Sequence, residues 1–376
     1  MTNIVILGAG YAGLAAAVQL AARTRRDDSI QVTLVNASDR FTERLRLPMT
    51  ATGQDVADRR VPDLLAGTGA RFEPGWVTAL DLAARTVTLD DRKINFDLLV
   101  YALGSVADTG AVPGADEYAY TLNSFDDAAV LAAKLAGATD VVIGGTGPTG
   151  VESAAEIASR YPHLTVTLVG RHEPGAGMCP GARAHLRAAL DRLGVRTVRA
   201  EIRKVLPDRV HLDDGTLPAG LVLWAGGTRV SPLAAAMTTD DRGRIVTDPS
   251  LRSVSHPFVY AIGDAAAIRQ PYGIMHGTCQ GGMPTGVHAA LSILRELTGK
   301  PAKPFRFGYY QTPVSLGRQD GVVQFTHGDD TPRRFYLTGR LAARYKEIAT
   351  AAPWPTYRRM RRLPASAAFW PHGKRS

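Results

Sequence analysis

The fold class that the sequence predicts is α/β, because two segments of the chain repeat one order of elements. In the first, the apolar strand of "NIVILGAG" meets a glycine-rich turn, an Ala- and Leu-rich helix and a second strand, "IQVTLVN". In the second, "DVVIGGTGPTGVESAAEIASR" is followed by the strand "LTVTLVG". Strands that alternate with helices in this way are typical of βαβ units in a parallel sheet.

Each segment carries Gly-x-Gly-x-x-Gly between its first strand and its helix. The motif alone is weak evidence, but a preceding strand and a following helix are the context that dinucleotide binding requires. The glycines allow a tight turn, let the backbone approach a pyrophosphate and let helix pack on strand. The helix N-terminus then offers N–H groups to phosphate oxygens. We therefore predict two Rossmann-like units, with Gly8, Gly10 and Gly13 in the first and Gly145, Gly147 and Gly150 in the second.

Three later strands also run into turns of small residues. "INFDLLVYALGS" ends in Ala102 and Gly104, "LVLWAGGTRVSP" contains Gly227, and "HPFVYAIGDAAA" ends in Gly263 and Asp264. A helical segment, "GVHAALSILRELTG", and a strand-like segment, "YQTPVSLGRQDGVVQF", follow before a basic tail.

This order of motifs resembles the flavoproteins with two dinucleotide-binding domains, the pyridine nucleotide–disulfide reductase-like superfamily. The resemblance is strongest to the branch without a redox disulfide: type II NADH dehydrogenases, apoptosis-inducing-factor-like proteins and ferredoxin reductases. It implies that an NAD(P)H-binding domain, residues 109–240, is inserted in an FAD-binding domain formed by residues 1–108 and 241–305. Residues 306–376 are then a small C-terminal α+β region with the basic tail.

The resemblance also assigns residues to the two cofactors. Asn36 stands where the family usually has a Glu that holds the ribose; an amide can accept that hydrogen bond but lacks the charge of a carboxylate. The other expected contacts are the first-unit glycines under the FAD pyrophosphate, Arg44 near the flavin, the backbone of Val77 at the adenine, Ala102, Gly104 and Gly263 at strand ends, Asp264 at the ribityl chain, and Gly145, Gly147, Gly150 and Gly227 in the NAD(P)H domain.

Cysteine usage bears on how electrons leave the flavin. Disulfide-reductase members relay electrons through a CxxC or CxxxxC thiolate, and neither spacing occurs among the two cysteines, Cys179 and Cys279. The C-terminal region also lacks the catalytic His-Glu pair of glutathione-reductase-like members. We expect electrons to leave reduced flavin directly. Buried structural cysteines are the favoured interpretation, and paired cysteines as in sulfide:quinone oxidoreductases are the alternative.

The stretch "GIMHGTCQGGMPTGVHAA" follows the Gly-Asp turn and contains two candidate catalytic residues. Gln280 matches a glutamine that, in similar proteins, begins a helix against the isoalloxazine and lines the quinone pocket. The helix N-terminus can stabilise negative charge on reduced flavin. His276 is a candidate proton donor to quinone oxygen because histidine titrates near neutral pH; a purely structural histidine is the alternative.

The end of the second strand in the second unit bears on the choice of nicotinamide cofactor. An acid normally stands there and holds the adenosine ribose, but the sequence has Gly170, Arg171 and His172. Loss of the acid removes repulsion of a 2′-phosphate, and an arginine can bind that phosphate through two hydrogen bonds. We therefore predict that NADPH is used at least as well as NADH. Alternatively, Arg171 points to solvent and stacks on the adenine.

The net charge of +9 is concentrated in the C-terminal tail. Residues 333–376 hold eleven Lys or Arg and one acid, so the rest of the chain is close to neutral. Basic residues confined to a tail do not predict nucleic-acid binding. The tail combines arginines with five apolar side chains: Trp354, Tyr357, Met360, Phe369 and Trp370. This combination suits either peripheral contact with an anionic membrane or packing over the protein's own surface. Prolines at 353, 355 and 364 interrupt any long amphipathic helix.

These observations favour a flavoenzyme of the cytoplasm, since no signal peptide, membrane span or metal-ligand cluster is evident. The favoured function is hydride transfer from NAD(P)H to FAD and electron transfer to a quinone. Alternatives are a ferredoxin reductase, a biosynthetic enzyme with a specialised aromatic substrate, and a binding or signalling flavoprotein with incidental turnover. The sequence leaves the acceptor and the oligomeric state open.

Overall fold

A computed structural model describes residues 1–367 and 369–372 and confirms the predicted α/β class. The helices are α1 (Tyr11–Thr24), α2 (Leu47–Thr50), α3 (Val61–Leu65), α4 (Ala115–Tyr118), α5 (Phe125–Leu135), α6 (Pro148–Arg160), α7 (Pro180–Arg192), α8 (Cys279–Leu297), α9 (Gly339–Ala351) and α10 (Pro353–Arg362).

The strands up to the start of the second unit are β1 (Thr2–Leu7), β2 (Ile30–Asn36), β3 (Arg71–Pro74), β4 (Val77–Asp81), β5 (Thr86–Leu89), β6 (Arg92–Asn95), β7 (Leu98–Tyr101), β8 (Ser105–Ala107) and β9 (Asp140–Gly144). Those that follow are β10 (Thr165–Gly170), β11 (Arg196–Arg199), β12 (Ile202–Val205), β13 (Arg209–Leu212), β14 (Thr216–Pro218), β15 (Val222–Trp224), β16 (Thr228–Val230), β17 (Ile245–Val246), β18 (Val259–Ala261), β19 (Ala266–Ala267), β20 (Arg269–Gln270), β21 (Gly273–Ile274), β22 (Gln311–Ser315), β23 (Gly321–Thr326) and β24 (Pro332–Thr338).

The first unit is a parallel sheet with the strand order β18-β7-β1-β2-β3. Its central strands are apolar along most of their length because both faces are covered by other elements. On one face α1 packs against α8 so closely that a Cβ built on Gly286 would lie 2.0 Å from the backbone oxygen of Ala12. The carboxyl ends of all five strands meet at one edge, where α/β proteins bind ligands.

The second unit is a parallel sheet with the order β11-β10-β9-β15. Its strands fall between β7 and β18 in the chain, so the second unit is inserted in the first, as predicted. The antiparallel pair β8 and β16 lies where the chain enters and leaves the inserted unit. The residue numbers of the domain boundaries stay a prediction.

The C-terminal region consists of the antiparallel sheet β22-β23-β24 and the helices α9 and α10. On α9, Ala342, Lys346 and Thr350 are buried at four-residue spacing, so one face of the helix packs on the protein. On α10, Tyr357 and Met360 are fully buried, and the Tyr357 hydroxyl donates to the backbone oxygen of Tyr11. In the part of the chain that the structure describes, no helix is both long and apolar enough to cross a bilayer.

Candidate functional site

The first glycine-rich turn is compressed at two positions and open at the third. Gly8 has φ +96°, and a Cβ on it would lie 2.5 Å from the backbone oxygen of Ala102. A Cβ on Gly13 would lie 1.8 Å from the oxygen of Gly8. Gly10 faces open space and precedes α1, whose N-terminus has no side-chain cap. An anion can therefore reach the N–H groups of the first helical turn at Gly10.

The second turn has the same geometry. A Cβ on Gly145, at φ +124°, would lie 2.3 Å from the oxygen of Ala225, and one on Gly150 would lie 1.8 Å from the oxygen of Gly145. Gly147 is open like Gly10, and no side chain caps α6. Gly227 also faces open space, and its oxygen accepts from the Asp108 N–H at 3.0 Å.

Three segments that are distant in sequence meet beside the first turn. Arg44 lies in a 3₁₀ turn, and its Nη1 donates to the backbone oxygen of Ser105 at 2.7 Å. The Ser105 hydroxyl donates to Asp264 Oδ2 at 2.8 Å. Asp264 Oδ1 lies against Gly277, where a Cβ would come within 2.5 Å of it. We call this group of residues, with Gly8–Gly13, the first crevice.

Asn36 ends β2 at the same edge and supports the turn. Its Oδ1 accepts from the Ala9 N–H at 2.9 Å, and its Nδ2 donates to the Ser38 oxygen at 2.7 Å. An amide oxygen has two lone pairs, so one acceptor position is left for a ligand hydroxyl. Three other predicted residues belong to this unit. Val77 is the buried first residue of β4, which follows β3 in the chain. Gly104 adjoins open space, and the Gly263 N–H donates to the Thr285 hydroxyl.

Gln280 ties the start of α8 to the C-terminal sheet. Its Nε2 donates to the oxygen of Gln311 at 3.1 Å, and its Oε1 accepts from the Tyr310 N–H at 3.3 Å. Thr278 caps the helix by accepting from the Gly281 N–H. Because both ends of the amide are occupied by protein, Gln280 holds the α8 N-terminus in place.

His276 lies at the surface, half exposed. Its ring stacks on Tyr309 with centroids 4.3 Å apart, and its Nε2 is 3.4 Å from Asp330 Oδ2. Burial raises the pKa of Asp330 above its ordinary range, while the neighbouring His276 opposes that shift. His276 therefore contacts one aromatic ring and one acidic side chain, and its exposed part can contact water.

Both cysteines are free thiols in separate units. Burial raises the pKa of the Cys279 thiol to about 12, and the Asp264 carboxylate adds to the shift, while Arg44 and Lys346 oppose it. A thiol with such a pKa is protonated at neutral pH and is a poor nucleophile. This favours a structural role for Cys279. Cys179 is the N-cap residue directly before α7, and its N–H donates to Gln324 Oε1.

A buried ion pair that the sequence did not reveal lies between α6 and α9. Lys346 Nζ is 2.8 Å from Glu152 Oε1, and both side chains are at least nine-tenths buried. The Ser315 N–H also donates to Glu152 Oε1, at 3.2 Å. Lys346 Nζ also donates to the oxygen of Pro313 on β22, the strand whose first residue, Gln311, accepts a hydrogen bond from Gln280 at the start of α8. One signal was available in the sequence, because Glu152 and Glu156 interrupt a helix that otherwise consists mostly of small and apolar residues.

A cleft of about 520 Å³ leads to this pair. We call it the α6–α9 cleft; its walls include Leu45, Pro48, Met49, Glu152, Glu156, Ser315, Arg318, Arg340, Arg344, Lys346 and Glu347. A volume of this size can hold a small organic ligand.

The end of β10 explains the missing acid of the second unit. A Cβ on Gly170 would lie 2.7 Å from Thr146 Oγ1, and this hydroxyl donates to the oxygen of His172. Thr146 therefore fills the space that an acid at position 170 would need. Arg199, which the sequence did not single out, ends the neighbouring strand, and its Nε donates to the Arg171 oxygen at 3.3 Å.

Arg171 and Arg199 are exposed and, within residues 1–367 and 369–372, neither guanidinium has a carboxylate at ion-pair distance. The acid nearest in sequence, Glu173, is paired with Arg187. The two arginines thus form a cationic site at the place where the adenosine ribose is expected.

The C-terminal tail packs largely on the protein. Trp354 stacks on Phe41 with ring centroids 5.8 Å apart, and Trp370 Nε1 donates to the oxygen of Arg306. With Tyr357 and Met360 buried, Phe369 is the one strongly exposed member of the five apolar side chains, all of which lie among the described residues. Lys374 and Arg375 lie outside the described residues.

Comparison with known proteins gives consistent results. The sequence model of the pyridine nucleotide-disulphide oxidoreductase family matches residues 2–291. An NADH dehydrogenase-like protein of Mycobacterium tuberculosis is 31% identical over 87% of this chain and 88% of its own length. Demethylphylloquinone reductase of Synechocystis sp. is 30% identical over 85% of this chain and 86% of its own length. The solved structure of NDH2 from Plasmodium falciparum in complex with NADH has a TM-score of 0.81 at 15% identity, covering 99% of this chain and all of that chain.

Proposed function

The chain belongs to the pyridine nucleotide-disulphide oxidoreductase family, and from this premise we propose that it is an FAD-dependent enzyme that oxidises NAD(P)H and reduces a quinone. The observation that carries the acceptor assignment is the buried Lys346–Glu152 pair, because it puts a cation and a carboxylate at the inner end of the α6–α9 cleft. Two relatives whose names refer to NADH dehydrogenation and to quinone reduction support the same reaction.

The residues of the first crevice fit FAD. Gly10 is open to a pyrophosphate at an uncapped helix N-terminus, and Asp264 Oδ2 accepts a hydroxyl hydrogen bond from Ser105, as it would from a ribityl hydroxyl. Asn36 would hold the ribose through its second lone pair. Flavin held by these residues would supply the redox chemistry, that is, uptake of hydride from a reduced nicotinamide and release of two electrons to the acceptor.

The second unit would hold the nicotinamide nucleotide. Gly147 is open to its pyrophosphate, as Gly10 is in the first unit. Arg171 and Arg199 would bind a 2′-phosphate, and charge-assisted hydrogen bonds of this kind are about twice as strong as neutral ones. We propose NADPH as the preferred donor, because position 170 has no carboxylate that would repel the 2′-phosphate, and NADH as a second donor that would bind through the remaining contacts.

The α6–α9 cleft would hold the quinone ring. Lys346 can donate a hydrogen bond to a quinone oxygen and stabilise the negative charge that grows on it during reduction. Glu152 orients Lys346 through the ion pair at 2.8 Å. We assign Gln280 to fixing the α8 N-terminus and His276 to proton exchange with water; these assignments follow from their contacts with β22 and Asp330.

The outer face of α9 suggests where a membrane would be met. Leu341 and Ile348 are 68% and 70% exposed and lie two turns apart on one side of the helix, and Phe335 of β24 is 62% exposed. Arg340 and Arg344 lie on the same helix. Apolar side chains flanked by arginines suit the surface of an anionic membrane. We propose that this face, rather than the packed tail, makes peripheral contact.

The test of the membrane face is co-sedimentation with anionic vesicles. Wild type should sediment with the vesicles, and Leu341→Glu with Ile348→Glu should remain in the supernatant. The matched control is Val130→Glu, an exposed apolar residue on α5. Equal sedimentation of wild type and the double variant would contradict the assignment.

The test of the function is steady-state turnover of flavin-loaded protein. NADH and NADPH should each be oxidised with a panel of quinones and, separately, with small acidic iron–sulfur proteins. The proposal expects NAD(P)H oxidation that depends on quinone, with one quinol formed per nucleotide oxidised. Turnover only with an iron–sulfur protein would instead support a ferredoxin reductase, for which the exposed Arg358, Arg359 and Arg362 offer a basic docking surface.

A further inference from the structure

A second buried carboxylate lies one helical turn beyond Glu152. Glu156 is 3% exposed and Glu152 is 6% exposed, and residues four apart lie on one face of a helix. Both line the α6–α9 cleft. The function proposed above uses Glu152 and Lys346 and leaves Glu156 without a task.

The charges of this cluster do not balance unless a proton is present. Glu152 has the buried counter-ion Lys346, whereas Glu156 has none among the described residues. Charged groups on three elements line the cleft together with Glu156. They are Glu152 on the same helix, exposed Arg318 on the β22–β23 loop, and Arg340, Arg344, Lys346 and Glu347 on α9. Glu347 is paired with Arg46. An unpaired buried carboxylate costs much free energy when ionised, so it tends to bind a proton.

Gln54, which follows α2 in the chain, contacts the buried Glu156 carboxyl group through a hydrogen bond. Gln54 Nε2 donates to Glu156 Oε2 at 2.9 Å and to Thr52 Oγ1 at 2.8 Å. Gln54 Oε1 is buried and accepts no hydrogen bond within the described residues. The hydrogen bond from Nε2 stabilises the ionised carboxylate and so lowers the pKa of Glu156, whereas burial without a counter-ion favours the protonated form.

Ser315 connects the two carboxylates. Its N–H donates to Glu152, and its hydroxyl lies close enough to Glu156 to favour ionisation of that carboxyl. Burial raises the pKa of Glu156, and the Glu152 carboxylate adds to that shift, whereas Gln54, Arg318 and Ser315 oppose it. Glu156, Ser315, Glu152 and Lys346 all line the cleft, so these polar groups lie together along its wall.

We propose that Glu156 is a proton-holding residue that supplies a proton to the quinone through Ser315, Glu152 and Lys346. This inference rests on the proposed quinone reduction. Reducing a quinone to a quinol consumes two electrons and two protons, and NAD(P)H brings two electrons and one proton. The second proton leaves Glu156, passes to the quinone oxygen, and is replaced from water in the cleft.

The first arm of the test needs no turnover. Thermal unfolding of wild type and Glu156→Gln is followed from about pH 5 to about pH 9. A carboxyl whose pKa is raised by folding contributes stability at low pH and loses it as the pH rises through the folded pKa. The midpoint of Glu156→Gln should therefore rise relative to wild type with increasing pH. A difference that is independent of pH would overturn the proposal.

The second arm compares acceptors. Ferricyanide takes electrons without protons, so the ratio of quinone to ferricyanide turnover isolates proton delivery. This ratio should fall about tenfold or more in Glu156→Gln, change its pH profile, and recover in part in Glu156→Asp, which keeps a carboxyl group. The control is Glu117→Gln, an exposed acid on α4. A ratio that is unchanged at every pH would refute the role of Glu156.

The two arms separate this inference from the proposed function. If wild type reduces ferricyanide but no quinone, the quinone assignment fails, and the unfolding arm still reports whether Glu156 holds a proton. If wild type reduces quinone and Glu156→Gln matches it in both arms, the quinone assignment stands and Glu156 has no part in proton delivery.

Discussion

The first and second Rossmann-like units share the geometry of their turns but differ in the residue that ends the second strand and in the helix that follows the turn. In both, a Cβ on the last glycine of the motif would lie 1.8 Å from the oxygen of the first. At the end of the second strand, the first unit has Asn36 bonded to the turn, whereas the second has Gly170 with Thr146 in the vacant space.

The two helices differ as well. Helix α1 buries apolar residues and Gln19 beneath α8 and α10, while α6 buries Glu152 and Glu156 beside a cleft. We therefore propose that the glycine turn binds a pyrophosphate in both units and that the flanking residues decide which nucleotide is held and what chemistry is done beside it.

The largest effect is expected from the buried ion pair that Glu152, on α6 of the second unit, forms with Lys346 of α9. Lys346→Met should lower quinone turnover by at least about a hundredfold, the scale of lost proton or charge stabilisation. It should also lower the free energy of unfolding by about 3–5 kcal/mol, because Glu152 keeps a buried charge without a partner. Stopped-flow turnover and denaturant unfolding measure the two effects.

Two further variants act as controls for this prediction. Lys346→Met combined with Glu152→Gln removes both charges and should regain most of the stability but not the turnover. Lys300→Met changes an exposed lysine and should alter neither. If Lys346→Met retained wild-type quinone turnover, the cleft would not be the acceptor site.

An intermediate effect is expected at the end of β10, where the units differ in their second strands. Arg171→Ala should lower kcat/KM for NADPH about tenfold, because a charge-assisted hydrogen bond to phosphate contributes about 1.5–3 kcal/mol. Arg199→Ala should act in the same direction, and kcat/KM for NADH should change by less than about twofold. A strong wild-type preference for NADH that survives Arg171→Ala would exclude the phosphate site.

A smaller effect is expected at Asn36, the corresponding place in the first unit. Asn36→Ala removes the acceptor for the Ala9 N–H and should weaken FAD binding about two- to tenfold, the value of one neutral hydrogen bond. Asn36→Asp keeps the acceptor and is the matched control. Flavin fluorescence during dilution reports the dissociation constant of FAD. Equal dissociation constants for wild type, Asn36→Ala and Asn36→Asp would show that Asn36 does not contribute to FAD binding.

The parts of the molecule that the sequence predicted are those set by local patterns. The strand, glycine turn and helix of each unit are contiguous, and their spacing requires close packing at Gly13 and Gly150. The inserted order of the two units came from the resemblance and is confirmed by the strand orders of the two sheets. The absence of an acid at position 170 was visible directly in the sequence.

The parts that the sequence did not reveal depend on contacts between distant segments. Lys346 meets Glu152 only because α9 packs on α6, and Arg199 meets Arg171 only because β11 pairs with β10. In the tail, prolines do separate the helices, since α9 ends at Ala351 and α10 begins at Pro353. The aromatic residues of α10 that suggested a membrane contact pack instead on Phe41 and Tyr11.

The central claim is that the first unit holds the flavin and the second holds the nicotinamide nucleotide. The most direct test is to measure bound flavin per chain and the NADPH dissociation constant in Gly10→Val and Gly147→Val. Both glycines have extended backbone angles and open space around a Cβ, so the fold should tolerate either change. We expect Gly10→Val to lose flavin and still bind NADPH, and Gly147→Val to keep flavin and lose NADPH. The opposite pattern, or loss of both ligands in both variants while the fold is intact, would contradict the assignment.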